Sequence, residues 1–256
     1  MSELAFSFGR IAAEYDDVRP EYAPEALDRA AEVLGLGADS RVVDLAAGSG
    51  KLTRPLAARF AEVVAVEPNE EMRAVLAGRS AGMKVLAGTA ERMPLPDDFA
   101  DAVFVGDAFH WFDGAAAVAE LERVLRPRGG VALLWNHWWS DGDDGTTNTL
   151  DPPIPAEAQA LFDKVYYSSG RAKARAEMAA PLEAFAGEAF TPLMQEAFSR
   201  STQLSGAEVV DLYATVSAVA SLPPAEREEL KRAVLALLAP SYRLEITTQL
   251  HWTRRA

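Results

Sequence analysis

Three acidic residues, Asp44, Glu67 and Asp107, each lie at the end of a short apolar run of the kind that forms a buried strand. In a doubly wound parallel sheet, ligands bind outside the carboxyl ends of the strands, so we expect the three carboxylates to rim one hollow. Ionised carboxylates only accept hydrogen bonds, which suits the two hydroxyls of a ribose. These residue types at these positions indicate a site for a nucleoside-like cofactor.

The turn after the first strand contains two glycines, Gly48 and Gly50, and a helix is predicted to follow over residues 52–58. Glycine allows a tight turn and a close approach of the backbone to a ligand, and the helix start adds unpaired N–H groups. A phosphate-binding P-loop needs Gly, four residues and then Gly-Lys-Ser/Thr, but Leu45 and Leu52 occupy two of those positions. The P-loop interpretation therefore fails.

Two other interpretations of this turn stay open. A dinucleotide-binding fingerprint has a third glycine where this chain has Thr53. A turn that binds S-adenosylmethionine reads acid-x-x-x-Gly-x-Gly, which Asp44 to Gly50 satisfies. Glu67 follows these glycines by roughly twenty residues, the separation at which an acid ending the second strand binds ribose hydroxyls.

The composition limits the class of protein. The chain has 256 residues, of which 49% are hydrophobic and 25% charged, as in an ordinary globular α/β protein. Its 38 acidic residues outnumber 25 lysines and arginines, and a formal charge of −13 argues against nucleic acid as a partner. Cysteine is absent, so thiol chemistry is excluded. We see no signal peptide and no membrane-spanning run, and we expect a cytoplasmic protein.

Strands and helices alternate over the first half of the chain, which predicts a parallel sheet built from βαβ units. After Asn136 this alternation stops, and an alternating pattern over residues 244–252 predicts a closing strand. We predict one domain over residues 1–256, made of an N-terminal flap and helix (1–36), a cofactor-binding core (37–136), a cap insertion (137–185), and a C-terminal sheet edge with helices (186–256). The acids Asp141, Asp143 and Asp144 do not match a calcium-binding loop, so we predict a solvated turn and no metal site.

Four segments carry a family resemblance. They are Val-Val-Asp-Leu-Ala-Ala-Gly-Ser-Gly at 42–50, Val-Glu-Pro-Asn at 66–69, Gly-Thr-Ala-Glu-Arg-Met-Pro-Leu-Pro at 88–96 and Ala-Phe-His-Trp-Phe at 108–112. On these segments the chain resembles the class I S-adenosylmethionine-dependent methyltransferases, and within them the branch of trans-aconitate methyltransferase-like proteins. The resemblance implies a Rossmann-like, doubly wound sheet of seven mostly parallel strands, with an antiparallel last strand and a helical cap.

The resemblance also implies which residues bind S-adenosyl-L-methionine. Glu67 would bind the ribose, and Asp107 would approach the methionyl end. The full implied set is Asp44, Ala46, Gly48, Ser49, Gly50, Glu67, Pro68, Thr89, Ala90, Glu91, Asp107 and Ala108. Two positions depart from the family pattern: Ala46 stands where glycine is frequent, and Thr89 replaces a common aspartate beside the adenine.

The implied reaction is in-line transfer of a methyl group to a small-molecule acceptor, which depends mainly on alignment. His110 is the candidate base because histidine titrates near neutral pH, with a purely structural histidine as the alternative. Tyr15, Arg19, Trp111 and His137 are the other candidate acceptor-site residues, and Arg19 could offer its guanidinium to a carboxylate. We expect a monomer or homodimer. An NAD-type oxidoreductase and a non-catalytic module that binds S-adenosylmethionine remain the alternatives.

Overall fold

The computed structural model describes residues 11–138, 149–168 and 181–256. Its centre is one mixed sheet whose strands are β1 (Arg41–Leu45), β2 (Glu62–Val66), β3 (Lys84–Leu86), β4 (Ala100–Gly106), β5 (Leu125–His137), β6 (Leu150–Asp151), β7 (Met194–Ser205) and β8 (Ser241–Arg254). The strand order is β3-β2-β1-β4-β5-β8-β6, and β7 pairs with β8. β1 to β5 are parallel, whereas β8 is antiparallel to β5, β6 and β7.

The predicted fold class is confirmed, since the sheet is Rossmann-like and mostly parallel with an antiparallel last strand. The strand count differs from the expected seven because Leu150 and Asp151 pair with Leu244 and Arg243 and add the short strand β6. β5 is the longest of the five parallel strands. Its carboxyl end continues to His137 because β8 offers backbone partners along that whole length.

The helices are α1 (Ala12–Val18), α2 (Pro24–Val33), α3 (Thr53–Ala57), α4 (Glu70–Arg79), α5 (Gly114–Val124), α6 (Ala156–Ser168), α7 (Gly206–Ala214), α8 (Ser217–Ala220) and α9 (Pro224–Leu235). Short 3₁₀ turns cover Phe109–Trp111 and Pro181–Phe185. Side chains of Asn69 and Asp113 accept backbone N–H groups at the starts of α4 and α5. The sequence patterns did not predict α1, which lies in the stretch interpreted as a flap.

Apolar layers cover both faces of the sheet, as the unbroken apolar runs of its parallel strands predict. Val105 of β4 belongs to the layer that includes Leu121 of α5. Its neighbour Phe104 belongs to the opposite layer, with Leu27 of α2. Successive residues of a strand point to opposite faces, so β4 is fixed from both sides and its carboxyl end is held in place.

A third apolar cluster joins the C-terminal helices, where Phe162 of α6 and Trp138 pack against Tyr213 of α7. Within the residues that the structure describes, no helix is both long and apolar enough to cross a membrane. The acidic run at residues 141–144, interpreted from the sequence as a solvated turn, lies outside the described residues.

Candidate active site

The strands that carry the three predicted acids end side by side. Leu45 of β1 is in register with Val66 of β2 and with Val105 of β4. The acids lie within two residues of this level along their strands, at Asp44, Glu67 and Asp107. Since β1 is hydrogen-bonded between β2 and β4, the three acids share one edge of the sheet.

Asp44 is the most deeply buried of these acids, with 1% of its surface exposed. Its Oδ2 accepts a hydrogen bond of 2.5 Å from the Thr53 hydroxyl, whereas its buried Oδ1 has no hydrogen-bond partner among the described residues. Burial raises the pKa of Asp44 to about 7, against the opposing effect of the Thr53 bond. A buried acceptor without a donor is costly, so this oxygen fits a ligand that brings an N–H group or a positive charge.

The turn between β1 and α3 has the backbone of a glycine-rich loop. The φ angle is positive at Ala46 (56°), Gly48 (56°) and Gly50 (95°). This conformation costs a residue with a side chain roughly 1 kcal/mol, so the surroundings hold Ala46 in place. A Cβ at Gly50 would lie 3.0 Å from Cγ of Leu76, so that position needs glycine for space as well as for conformation.

Glu67 closes this turn from the β2 side. Its Oε2 accepts from the backbone N–H of Gly48 and its Oε1 from that of Asn69, both at 2.8 Å. Burial raises the pKa of the Glu67 carboxyl, and these two bonds oppose the rise. Each carboxylate oxygen has a further lone pair, so the group can still accept hydrogen bonds from a ligand. The backbone carbonyl of the following residue, Pro68, accepts a hydrogen bond from the Arg73 guanidinium.

Asp107 is oriented by donors from two other segments. Its Oδ2 accepts from the Tyr22 hydroxyl at 2.9 Å, and its Oδ1 accepts from the backbone N–H of Asn136 at 3.1 Å. Burial raises the pKa of Asp107, while the charge of Arg19 lowers it. Its φ of 49° is uncommon for a residue with a side chain and is frequent at ligand-binding sites. The following Ala108 is buried.

The loop after β3, which was predicted to lie by an adenine, is folded on itself. The backbones of Thr89 and Arg92 exchange hydrogen bonds of 3.2 Å, and Ala90 is buried in the core. The Glu91 carboxylate accepts from the backbone N–H of Asp113 at 3.1 Å, a structural contact that the sequence did not predict. Thr89 lines a cleft of about 570 Å³ with Ala87, Gly88, Arg92, Met93, Pro94 and Leu95. The residues that line this cleft come from the loop after β3 and do not include those of the glycine turn.

Asp16 of α1, which the sequence analysis missed, closes over the glycine turn. It is 4% exposed; Oδ1 accepts from the Ser49 hydroxyl at 2.7 Å and from Arg54 at 2.8 Å, and Oδ2 accepts from Arg79 at 2.5 Å. Burial acts to raise the pKa of Asp16, but these donors outweigh it and the pKa lies below its ordinary value. A buried carboxylate therefore attaches α1 to the turn.

Arg19 at the end of α1 is held by the C-terminal helices. Its Nε and Nη2 donate to the hydroxyl and the carbonyl of Thr215, at 2.8 and 3.0 Å. The guanidinium lies 4.8 Å from the ring centre of Tyr15 and 4.6 Å from that of Trp138. The predicted contact with a ligand carboxylate therefore has to use the remaining edge of the guanidinium, because Thr215 occupies the other.

His110 and Trp111 lie in the 3₁₀ turn after β4, with their ring centres 4.8 Å apart. Nδ1 of His110 accepts from the indole N–H of Trp135 at 3.4 Å. His137, at the end of β5, bonds the side chain of Gln249 through Nε2 at 3.0 Å. His110 and Trp111 thus follow β4, and His137 is the last residue of β5. All three lie at the same edge of the sheet as the acids.

Asp16, Thr53 and Trp135 are among the residues that contact predicted site residues without having been predicted themselves. Asp16 bonds Ser49, and Thr53 bonds Asp44, and both contacts join separate elements, so no local pattern marks them. For Trp135 one signal was available: it ends the apolar run at residues 131–135, and parallel sheets bind ligands at the carboxyl ends of their strands.

Comparison with known proteins identifies the family. A family model described as a methyltransferase domain matches residues 43–133, from β1 into β5. An uncharacterised methyltransferase of Schizosaccharomyces pombe is 30% identical over 240 residues, which cover 93% of this chain and 89% of that protein. One from Mycobacterium tuberculosis is 46% identical over 134 residues, which cover 52% of this chain and 54% of the relative. The chain thus spans about half the length of that mycobacterial relative.

A solved structure shows the same fold. A protein of Anaeromyxobacter dehalogenans, described as a candidate type II methyltransferase, is similar with a TM-score of 0.59 and 23% identity, covering 92% of this chain and 97% of that chain. Three observations point to the same family: the fold, the glycine turn with its acids, and a relative that matches nearly the full length of the chain. The chain belongs to the class I S-adenosylmethionine-dependent methyltransferases.

Proposed function

We propose that the protein transfers the methyl group of S-adenosylmethionine to a small-molecule acceptor by in-line displacement. The observation that carries this proposal is the buried, unpaired Oδ1 of Asp44 beside the glycine turn. Its chemistry fits the cationic methionyl part of this cofactor, because a charged donor offsets the cost of a buried carboxylate. We include in the proposal the trans-aconitate methyltransferase-like branch that the sequence motifs indicate.

The residues at this edge of the sheet suit the rest of the cofactor. The glycine turn lets the backbone approach it closely, and Glu67 can accept from the ribose hydroxyls. Tyr22 and the backbone of Asn136 hold Asp107 toward the methionyl end. The proposed cofactor-binding set is Asp44, Ala46, Gly48, Ser49, Gly50, Glu67, Pro68, Thr89, Ala90, Glu91, Asp107 and Ala108.

When bound, S-adenosylmethionine supplies an activated methyl group on a sulfur that leaves as a neutral sulfide. The protein then contributes mainly alignment and exclusion of water. We assign the acceptor side to Tyr15, Arg19, His110, Trp111 and His137. α1 carries Tyr15 over this edge and is attached to the glycine turn, which supports an acceptor of small size in place of a macromolecule.

Parallel calorimetric titrations with S-adenosylmethionine and with NAD test the cofactor. A panel of small acids, phenols and amines, with detection of S-adenosylhomocysteine, then tests the reaction. Acceptor-dependent turnover would support the proposal. Binding of NAD without S-adenosylmethionine would overturn the cofactor assignment. Tight binding of S-adenosylmethionine with no turnover across the panel would favour the non-catalytic alternative.

A further inference from the structure

The chain has three histidines, and two of them, His110 and His251, contact Trp135 of β5. The Trp135 indole N–H donates to Nδ1 of His110 at 3.4 Å. The His251 ring stands at 87° to the Trp135 ring, with 5.4 Å between the ring centres. His137 follows on the same strand, and its charge lowers the pKa of His251, after the larger effect of burial. Trp135 is therefore a shared neighbour of His110 and His251.

The contact between Trp135 and His110 determines where the imidazole carries its proton. An indole N–H can only donate a hydrogen bond, so the Nδ1 that faces it must have its lone pair available. A neutral imidazole with a bare Nδ1 carries its hydrogen on Nε2. A charged imidazolium would bring a second N–H against the indole N–H, which disfavours the charged form. The indole thus selects a neutral His110 with the Nε2–H tautomer.

Both rings contact neighbouring elements of the fold. Trp135 lies on a strand paired with β4 and β8, and it packs against the core layer that includes Leu133. The His110 ring lies 4.8 Å from the Trp111 ring at an angle of 44°, two residues after the buried Ala108. The preference for one tautomer is therefore built into the folded chain and does not depend on a bound ligand.

We propose that Trp135 is a positioning residue that fixes His110 as the Nε2–H tautomer, so that His110 meets the methyl acceptor as a hydrogen-bond donor and not as a base. The part that concerns the acceptor rests on the proposed function. A donor at this position selects an acceptor molecule with an oxygen or nitrogen lone pair to receive the bond. The proton of a hydroxyl or amine nucleophile would then have to leave by another route.

Two-bond ¹⁵N–¹H correlation spectra of the ¹⁵N-histidine-labelled, unliganded full chain test the tautomer directly, because three histidines give three resolvable patterns. We expect the Nε2–H pattern for His110, and a Nδ1–H pattern would overturn the proposal. In Trp135→Phe the donor is lost while an aromatic ring remains. We expect a mixture of the two neutral tautomers in this variant. An unchanged tautomer would also overturn the proposal.

Trp252→Phe is the matched control, since Trp252 lies on β8 and packs with the opposite layer of the sheet. It should leave the His110 spectrum unchanged. With an acceptor in hand, Trp135→Phe should lower kcat at least threefold and leave the Kd for S-adenosylmethionine unchanged. Because the spectra need neither cofactor nor acceptor, they decide the tautomer even if the proposed function fails. A correct tautomer with an unchanged kcat in Trp135→Phe would refute the role of Trp135 in the reaction.

Discussion

The backbone N–H of Gly48 donates a hydrogen bond of 2.8 Å to Oε2 of Glu67, which joins the turn after β1 to the end of β2. The two residues are 19 positions apart in the chain. The bond keeps the carboxylate beside the positive-φ backbone of the turn. The position of the Glu67 carboxylate relative to the turn is therefore fixed. A carboxylate in a fixed position is suited to accept hydrogen bonds from two neighbouring hydroxyls of a ligand that lies along the turn.

Replacing Glu67 by glutamine should weaken S-adenosylmethionine binding at least tenfold. The amide loses the charge and one of the two acceptor oxygens, and a tenfold loss corresponds to about 1.4 kcal/mol. Isothermal titration calorimetry measures the affinity, and thermal unfolding checks that the variant is folded. Glu62→Gln is the control, because Glu62 begins the same strand and forms an exposed pair with Arg41. Equal affinities for both variants would remove Glu67 from the cofactor site.

Asp44→Asn should flatten the pH dependence of stability. The pKa of Asp44 is raised to about 7 in the folded chain from an ordinary 3.8. The unfolded chain therefore loses this proton first, and the free energy of unfolding falls as pH rises from about 4 to about 7, by up to about 4 kcal/mol. Urea unfolding at pH 5 and pH 8 should show the asparagine variant gaining stability relative to the natural chain at pH 8. A gain that is the same at both pH values would contradict the raised pKa.

Asp16→Asn should lower the free energy of unfolding and speed the hydrogen exchange of α1. The change removes the charge that three donors share in a buried position, and we expect a loss of about 1–3 kcal/mol at neutral pH. Because the pKa of Asp16 is lowered, its contribution is complete above pH 4 and disappears as pH falls through the folded value. Urea unfolding gives the free energy, and hydrogen exchange of residues 12–18 reports the helix.

Asp17→Asn is the control for Asp16. Asp17 is the next residue and pairs with the same Arg79, but its side chain is 62% exposed, so solvent screens the pair. Its replacement should leave the hydrogen exchange of α1 almost unchanged. If the two variants exchange alike, the buried contact with the glycine turn does not hold the helix.

Ala46→Gly should stabilise the protein by about 1 kcal/mol. Ala46 has a φ of 56°, a conformation that glycine adopts without the steric penalty of a Cβ. The neighbouring Ala47 does not have a positive φ, so Ala47→Gly should cost roughly 0.5–1 kcal/mol through added freedom of the unfolded chain. Urea unfolding should show a higher free energy of unfolding for Ala46→Gly and a lower one for Ala47→Gly. Destabilisation by both changes would show that the Ala46 methyl packs favourably.

Local sequence patterns were sufficient to predict where the three acids lie, but not to predict the contacts between elements that surround the site. Asp44, Glu67 and Asp107 could be placed together because each ends a buried run, and parallel strands share their carboxyl edge. Asp16 could not be placed, since its bond to Ser49 spans 33 residues and depends on how α1 docks. The two residues of β6 carry too little pattern to predict a strand. The docking of α1 and the pairing of β6 depend on contacts between separate elements, which the secondary-structure propensities of single residues do not contain.

The position of β8 has a consequence for synthesis of the chain. β8 is made after β5 and β7 yet lies between them, and among the described strands it is the one neighbour of β7. Until residues 241–254 have left the ribosome, β5 has an open edge along its length and β7 has no sheet to join. Open edges invite wrong pairing between molecules, so the newly made protein is most vulnerable to aggregation just before its last strand emerges.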